Sequence, residues 1–260
     1  MNQTATLVLL QAQLRELNLM NMARLIETHL RQARDGGTDH AQFLVELTDM
    51  ELRTRAEHRE QRRIKEARFP QLKPLELFDF DSAPTLDRRL VRELVEGEYL
   101  AEHRNIILLG KSGTGKTHLA TALGIEACRQ NHRVRFVTGY ALANELIEAR
   151  GEKGLGRLIA RYAHLDLLIL DELGYVPFSK EGAELLFQIL AERNERGSVI
   201  ITTNLGFADW TQVFGDANMT AALLDRLTHR AHIIECDWDS YRLKQTLKRS
   251  ASTPAKQMKA

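Results

Sequence analysis

The 260-residue chain has two cysteines, Cys128 and Cys236. Both fall inside predicted regular structure, so no disulfide framework supports the fold. Its uncharged apolar runs are far shorter than the roughly 20 residues a bilayer-spanning helix needs. The first residues, Met1-Asn2-Gln3-Thr4, lack the basic n-region and cleavage site of a secretory signal. These absences give the expectation of a cytoplasmic protein with no membrane partner. Internal repeats and low-complexity stretches are also missing. Neither sign of charge prevails, with 36 Lys and Arg against 35 Asp and Glu, net +1. That total says little about partners, whereas the distribution says more. From Arg53 to Arg68 seven basic residues face three acidic ones, and Arg242 to Lys259 holds six basic residues and no acid. Both stretches are candidate contacts for a phosphate backbone.

What is present begins with helix. Leu7, Leu10, Leu14 and Leu17 share one face of a first helix. Met20, Ala23, Leu25, Ile26 and Leu30 mark a second, closed by Asp35-Gly36-Gly37. Thr38-Asp39 can cap a third, with Phe43, Leu44, Leu47 and Leu52 as its apolar side. Pro70, Pro74 and Pro84 then interrupt the helical pattern. The connector they punctuate carries Leu72, Leu75, Leu77, Phe78 and Phe80, too many apolar residues for a free linker. It is expected to lie on the following domain. After a helix over residues 86–95, β-rich runs alternate with helical ones: 105–109, 133–137, 165–170, 199–202 and 232–235. Strands alternating with helices imply a parallel α/β sheet. The expected organisation is a helical domain over residues 1–68, a connector over 69–84, an α/β domain over 85–250 and a basic tail over 251–260. Residues 151–156, with glycine at 151, 154 and 156, predict a glycine-rich turn.

The first strand leads into Gly110-Lys111-Ser112-Gly113-Thr114-Gly115-Lys116-Thr117, and a helical pattern follows. Strand, glycine-rich loop and helix form the context of a P-loop. Phosphate oxygens need several donors converging on a small volume, and glycines let backbone N–H groups point inward without Cβ clashes. The helix N-terminus adds unpaired N–H groups and the positive end of its dipole. Lys116 can reach the β- and γ-phosphates, and the Thr117 hydroxyl can ligate Mg²⁺. Downstream, Leu167-Leu168-Ile169-Leu170-Asp171-Glu172 has the form of a Walker B strand. Asp171 would hold Mg²⁺ through water, and Glu172 would polarise the attacking water. Asn204, at the tip of the next strand, is the candidate γ-phosphate sensor. Arg226, in Asp225-Arg226-Leu227, is a candidate arginine finger for a neighbouring subunit, with Arg230 as a fallback. Arg242 could reach the γ-phosphate of its own subunit.

Gly110 to Ala120, Asp171-Glu172-Leu173-Gly174-Tyr175, Thr203-Asn204, Leu224-Asp225-Arg226-Leu227 and Asp239-Ser240-Tyr241-Arg242 together resemble the IstB family. These are ATP-binding helpers of IS21-type insertion sequences, in the initiator and helicase-loader branch of AAA+ ATPases. The resemblance takes in the N-terminal helical region and Ala67-Arg68-Phe69-Pro70, and so nearly the whole chain. It implies a P-loop AAA+ core with a five-stranded parallel sheet behind a small all-helical domain, and a nucleotide site running from Gly110 to His118. It also implies ATP and Mg²⁺ as cofactors, a ring or spiral homo-oligomer, duplex DNA and an IstA-type transposase as partners. DnaC-type helicase loaders are similar in the same segments, and Trp238 is close to their pattern, which leaves a loader as the alternative. In this branch the segment after the second core helix carries an extra helical insert facing DNA. Here that segment offers Arg150, Lys153, Arg157 and Arg161. Backbone contacts of this kind give weak sequence preference and strong salt dependence.

Overall fold

The computed structural model describes residues 3–241 and residue 243. The chain divides into two compact units, Met1–Arg62 and Arg63–Ala260. No helix among the described residues is long and apolar enough to cross a membrane.

The first unit is built from α1 (Gln3–Glu16), α2 (Met20–Gly36) and the first part of α3 (His40–Ala67). Leu14, Met22, Ala23, Ile26 and Leu47 are buried together, with Leu7, Leu10 and Phe43 packed against them. Four of the expected inward residues differ. Leu17 lies beyond the end of α1, Met20 is exposed at the start of α2, and Leu44 and Leu52 face solvent on α3. Leu52 is five residues from Leu47, which turns it about 140° around the helix and out of a core one stripe wide. α2 has no side-chain cap from its own preceding residue, Leu19. Its cap comes from α3 instead. Oε2 of the buried Glu51 accepts from the backbone N–H of Asn21 (3.1 Å) and Met22 (3.0 Å), and Oε1 accepts from Arg55 (2.9 Å). A carboxylate is well placed there, at the positive end of the α2 dipole.

In the second unit the chain runs through α4 (Arg88–Glu96), α5 (Glu98–Ala101), β1 (Ile106–Gly110), α6 (Lys116–Arg129), β2 (Val134–Thr138) and α7 (Gly139–Gly151). It continues with α8 (Leu155–Ala163), β3 (Leu167–Asp171), α9 (Lys180–Arg193), β4 (Ser198–Thr203), α10 (Trp210–Phe214), α11 (Ala217–Thr228) and β5 (His232–Cys236). The strands form one sheet in the order β2-β3-β4-β1-β5, every pair parallel. This is the five-stranded parallel sheet the sequence led us to expect. Successive residues of the central strands alternate between two cores, as strand geometry requires. Ile106, Leu108, Leu167 and Ile169 join Leu119, Leu123 and Leu94 on one face, while Ile107, Leu168 and Leu170 join Leu142, Leu146, Leu186 and Trp210 on the other.

Two local features depart from a simple reading of the pattern. Arg193, at the end of α9, is fully buried and its guanidinium donates to the carbonyls of Tyr162 (2.5 Å), Leu165 (3.0 Å) and Ser198 (2.9 Å). It thereby satisfies the last turn of α8 and the start of β4, where carbonyls lack partners. Burial pulls its pKa down to about 10, against the attraction of Asp166, and it stays charged at neutral pH. The 151–156 segment is less open than its glycines suggest. Gly151 ends α7, Gly156 lies inside α8, and Lys153 takes the left-handed φ of 58°. The N–H of Gly154 bonds the Ala149 carbonyl (2.7 Å) and that of Lys153 the Arg150 carbonyl (3.3 Å). This is a Schellman closure, which fixes a left-handed residue at position 153 whatever its side chain.

Candidate active site

The register of the sheet decides what meets at its carboxyl edge. β4 lies between β1 and β3, with Leu108 paired to Thr202, Leu109 to Thr203 and Leu170 to Ile201. The loop after β1, the Asp171-Glu172 end of β3 and the Thr202-Thr203-Asn204 end of β4 therefore come together. In open α/β sheets ligands bind at this edge.

The loop shape depends on two glycines. Gly110 has φ 150° and a Cβ there would lie 2.4 Å from the Cys236 carbonyl oxygen of β5. Gly115, with φ 94°, caps α6 and passes the ring of Phe78, which a Cβ would approach to 3.0 Å. Within the loop the buried Thr114 donates to the Lys111 carbonyl (2.9 Å). Lys116, also buried, donates from Nζ to the carbonyls of Gly110 (2.6 Å) and Lys111 (2.7 Å). The segment after β5 holds the same loop from outside, since Trp238 Nε1 donates to the Thr114 carbonyl (2.9 Å) and the Tyr241 N–H to that of Gly113 (2.9 Å).

Two hydroxyls converge on one carboxylate oxygen. Asp171 Oδ1 accepts from Thr117 Oγ1 (2.9 Å) and from Thr202 Oγ1 (2.6 Å). Thr202 Oγ1 in turn accepts the backbone N–H of Glu172 (2.9 Å), and the Thr202 carbonyl accepts that of Leu173 (2.9 Å). Glu172 sits at φ 55°, a conformation that costs a non-glycine residue about 1–2 kcal/mol. Its side chain is exposed toward the cavity while Asp171 is buried.

Beside them lies a cavity of about 400 Å³. Ser112 to His118 form its floor, and Glu172, Thr202, Thr203 and Asn204 stand at the sheet edge. Leu72, Leu77 and Phe78 of the connector form an apolar wall, with Lys73, Trp238 and Tyr241 also lining the space. Of the two connector rings, Phe78 lines the cavity and Phe80 packs edge-on behind it at 5.0 Å. His118 Nε2 donates to the Pro74 carbonyl (3.1 Å), and its ring packs edge-on against Phe78. Its pKa is lowered by burial first and by the charge of Lys73, against the raising effect of the Pro74 bond. Gly110 and Lys111 lie beneath the loop, where their carbonyls hold Lys116.

Other residues singled out from the sequence lie elsewhere. Arg226 is on α11, its guanidinium 5.0 Å from the centre of the Phe187 ring and its shielded Nη1 without a hydrogen-bond partner among the described residues. Arg150 pairs with Glu181 (3.4 Å), and Arg161 pairs with Glu145 and covers the Tyr162 ring. Lys153 and Arg157 are exposed. Arg242 lies outside the described residues. Thr202 was missed by sequence reasoning. Its one available signal is its place two residues before Asn204 on a strand whose neighbour ends in two carboxylates.

Residues 12–249 match the family model described as IstB-like ATP binding protein. The chain is 39% identical over 244 residues to the insertion sequence IS21 ATP-binding protein of Pseudomonas aeruginosa, covering 94% of this chain and 92% of that one. It is 36% identical over 201 residues to the insertion sequence IS232 ATP-binding protein of Bacillus thuringiensis subsp. berliner, covering 77% and 80%. AMPPCP-bound DnaA from Aquifex aeolicus has the same fold, with a TM-score of 0.56 at 19% identity over 72% of this chain and 57% of that one.

Proposed function

The chain belongs to the IstB-like ATP-binding protein family, and from that premise we propose that it is a Mg²⁺-dependent ATPase that oligomerises on duplex DNA and recruits and stimulates an IS21-type transposase. The fold is a P-loop AAA+ domain. The observation that carries the proposal is the convergence of Lys116, Thr117 and Glu172 on one cavity with an apolar wall, with Asp171 hydrogen-bonded to Thr117 behind it.

The residues present fit the ligands. Lys116 already spends its donors on two loop carbonyls, and it would exchange such bonds for β- and γ-phosphate oxygens. One hydroxyl and one carboxylate, Thr117 and Asp171, lie within hydrogen-bond distance of each other. That oxygen-only pair suits Mg²⁺, which takes few protein ligands and completes its shell with phosphates and water. Bound there, Mg²⁺ would offset charge on the transferring phosphoryl group. Glu172 is the carboxylate that would orient and polarise water, and Asn204, which lines the cavity, would sense the γ-phosphate. Arg226 has an uncommitted Nη1 away from its own cavity, which supports a role in the site of a neighbouring subunit. Lys153 and Arg157 are the exposed members of the basic group on the 150–161 segment and the first candidates for DNA-backbone contact. The names of the relatives refer to insertion sequences, which supports the transposition reading over a helicase loader.

The test is ATP binding and turnover in two variants. Lys116→Ala should lose tight binding. Glu172→Gln should keep binding but lose turnover by about 10²-fold or more, the range expected for general-base removal. Near-normal turnover in Glu172→Gln would reject the assignment.

A further inference from the structure

Asp171 and Glu172 are adjacent in sequence, yet they serve the cavity in different ways, and one hydroxyl reaches both. Thr202 is 1% exposed, at the carboxyl end of β4, the central strand of the sheet. A hydroxyl has one proton to give and lone pairs to receive. Thr202 gives its proton to Asp171 Oδ1 (2.6 Å) and receives the Glu172 N–H (2.9 Å). The Glu172 backbone is left-handed at φ 55°, so the direction of its side chain depends on neighbours that hold the peptide in place. The second donor to Asp171 Oδ1 is Thr117, the residue assigned above to the metal. When Thr117 turns to a metal ion, Thr202 is the hydroxyl that remains on Asp171.

We propose that Thr202 is a positioning residue for hydrolysis, which fixes the Asp171 carboxylate and the Glu172 backbone together so that metal site and general base keep one geometry. The proposal rests on the ATPase reading above. It separates the work of Thr202 from nucleotide affinity, because its side chain bonds the Asp-Glu end of β3 and makes no hydrogen bond to the phosphate loop.

The test compares Thr202→Val, which keeps the shape and removes both bonds, with Thr202→Ser, which keeps both. Steady-state ATPase and titration with a fluorescent ATP analogue are measured on the full chain, alongside melting temperature. In Thr202→Val, kcat should fall about 10- to 100-fold, the scale of a misplaced catalytic group, while Kd for the analogue changes by less than about threefold. Thr202→Ser should restore kcat to within about threefold of the original. Should the valine variant fail to fold, Thr202→Cys takes its place, since a thiol is a weak donor and a weak acceptor. Unchanged kcat in the valine or cysteine variant would overturn the positioning role alone. A parallel loss of kcat, affinity and melting temperature would also overturn it, by reducing Thr202 to a packing residue. An unmutated chain that binds the analogue without hydrolysing ATP would overturn the ATPase reading and this proposal with it.

Discussion

His118 donates to the Pro74 carbonyl and packs against Phe78, which joins the connector to the start of α6. Burial, aided by Lys73, lowers its pKa below the ordinary 6.5. The folded chain therefore binds fewer protons at this site than the unfolded chain once pH falls below the ordinary value. The contribution of neutral His118 is complete above that value and is lost as pH falls through it toward the folded pKa. Thermal stability should thus decline between about pH 7.5 and pH 5.5. His232, also lowered by burial and by Arg104, acts in the same direction. Comparison with His118→Asn isolates the first residue, since the variant should show a shallower decline in melting temperature over that range. An identical pH profile in the variant would show that His118 carries none of the effect. At this scale the sequence is an uneven guide. Lys116, Asp171 and Glu172 could be placed because they end apolar runs that must be strands. Arg193 could not, because nothing around a charged residue at a helix end announces that three carbonyls will surround it.

The helices show the same division between local and distant causes. α9 begins at a Ser179 cap and α11 at an Asp216 cap, both hydrogen-bonded three residues on, and such signals are readable in the chain. The cap of α2 is supplied from thirty residues away, by Glu51 to Asn21 and Met22, and no spacing rule predicts it. The hold of Trp238 on the Thr114 carbonyl is likewise a bond across more than a hundred residues. It explains how the chain after β5 is tied to the phosphate loop. Glu51→Ala should leave two N–H groups of α2 without an acceptor and cost about 2 kcal/mol locally. In hydrogen exchange on the full chain, α2 amides should then exchange roughly 30-fold faster. Amides of β1 and β3 should keep their protection. Unchanged exchange in α2 would mean that water replaces the carboxylate without loss.

For the whole molecule, the order β2-β3-β4-β1-β5 places the strand bearing Asn204 between the phosphate loop and the Asp171-Glu172 pair. The parallel sheet, with both phosphate-site motifs at strand ends, was legible from alternating strands and helices. The proposed surfaces for DNA and transposase were less so, because exposed basic residues such as Lys153 and Arg157 are read only by their charge. In the proposed ATPase the site is completed by the next subunit. Lys116 and Arg226 belong to the same chain, and Arg226 does not line that chain's cavity. The direct measurement is ATPase activity of Lys116→Ala and Arg226→Ala proteins, separately and mixed. Each alone should be inactive, one lacking the phosphate cation and the other the finger. An equal mixture should recover activity, because random assembly makes about a quarter of head-to-tail interfaces competent. A mixture as inactive as its components, or an Arg226→Ala protein with unimpaired turnover, would contradict the account.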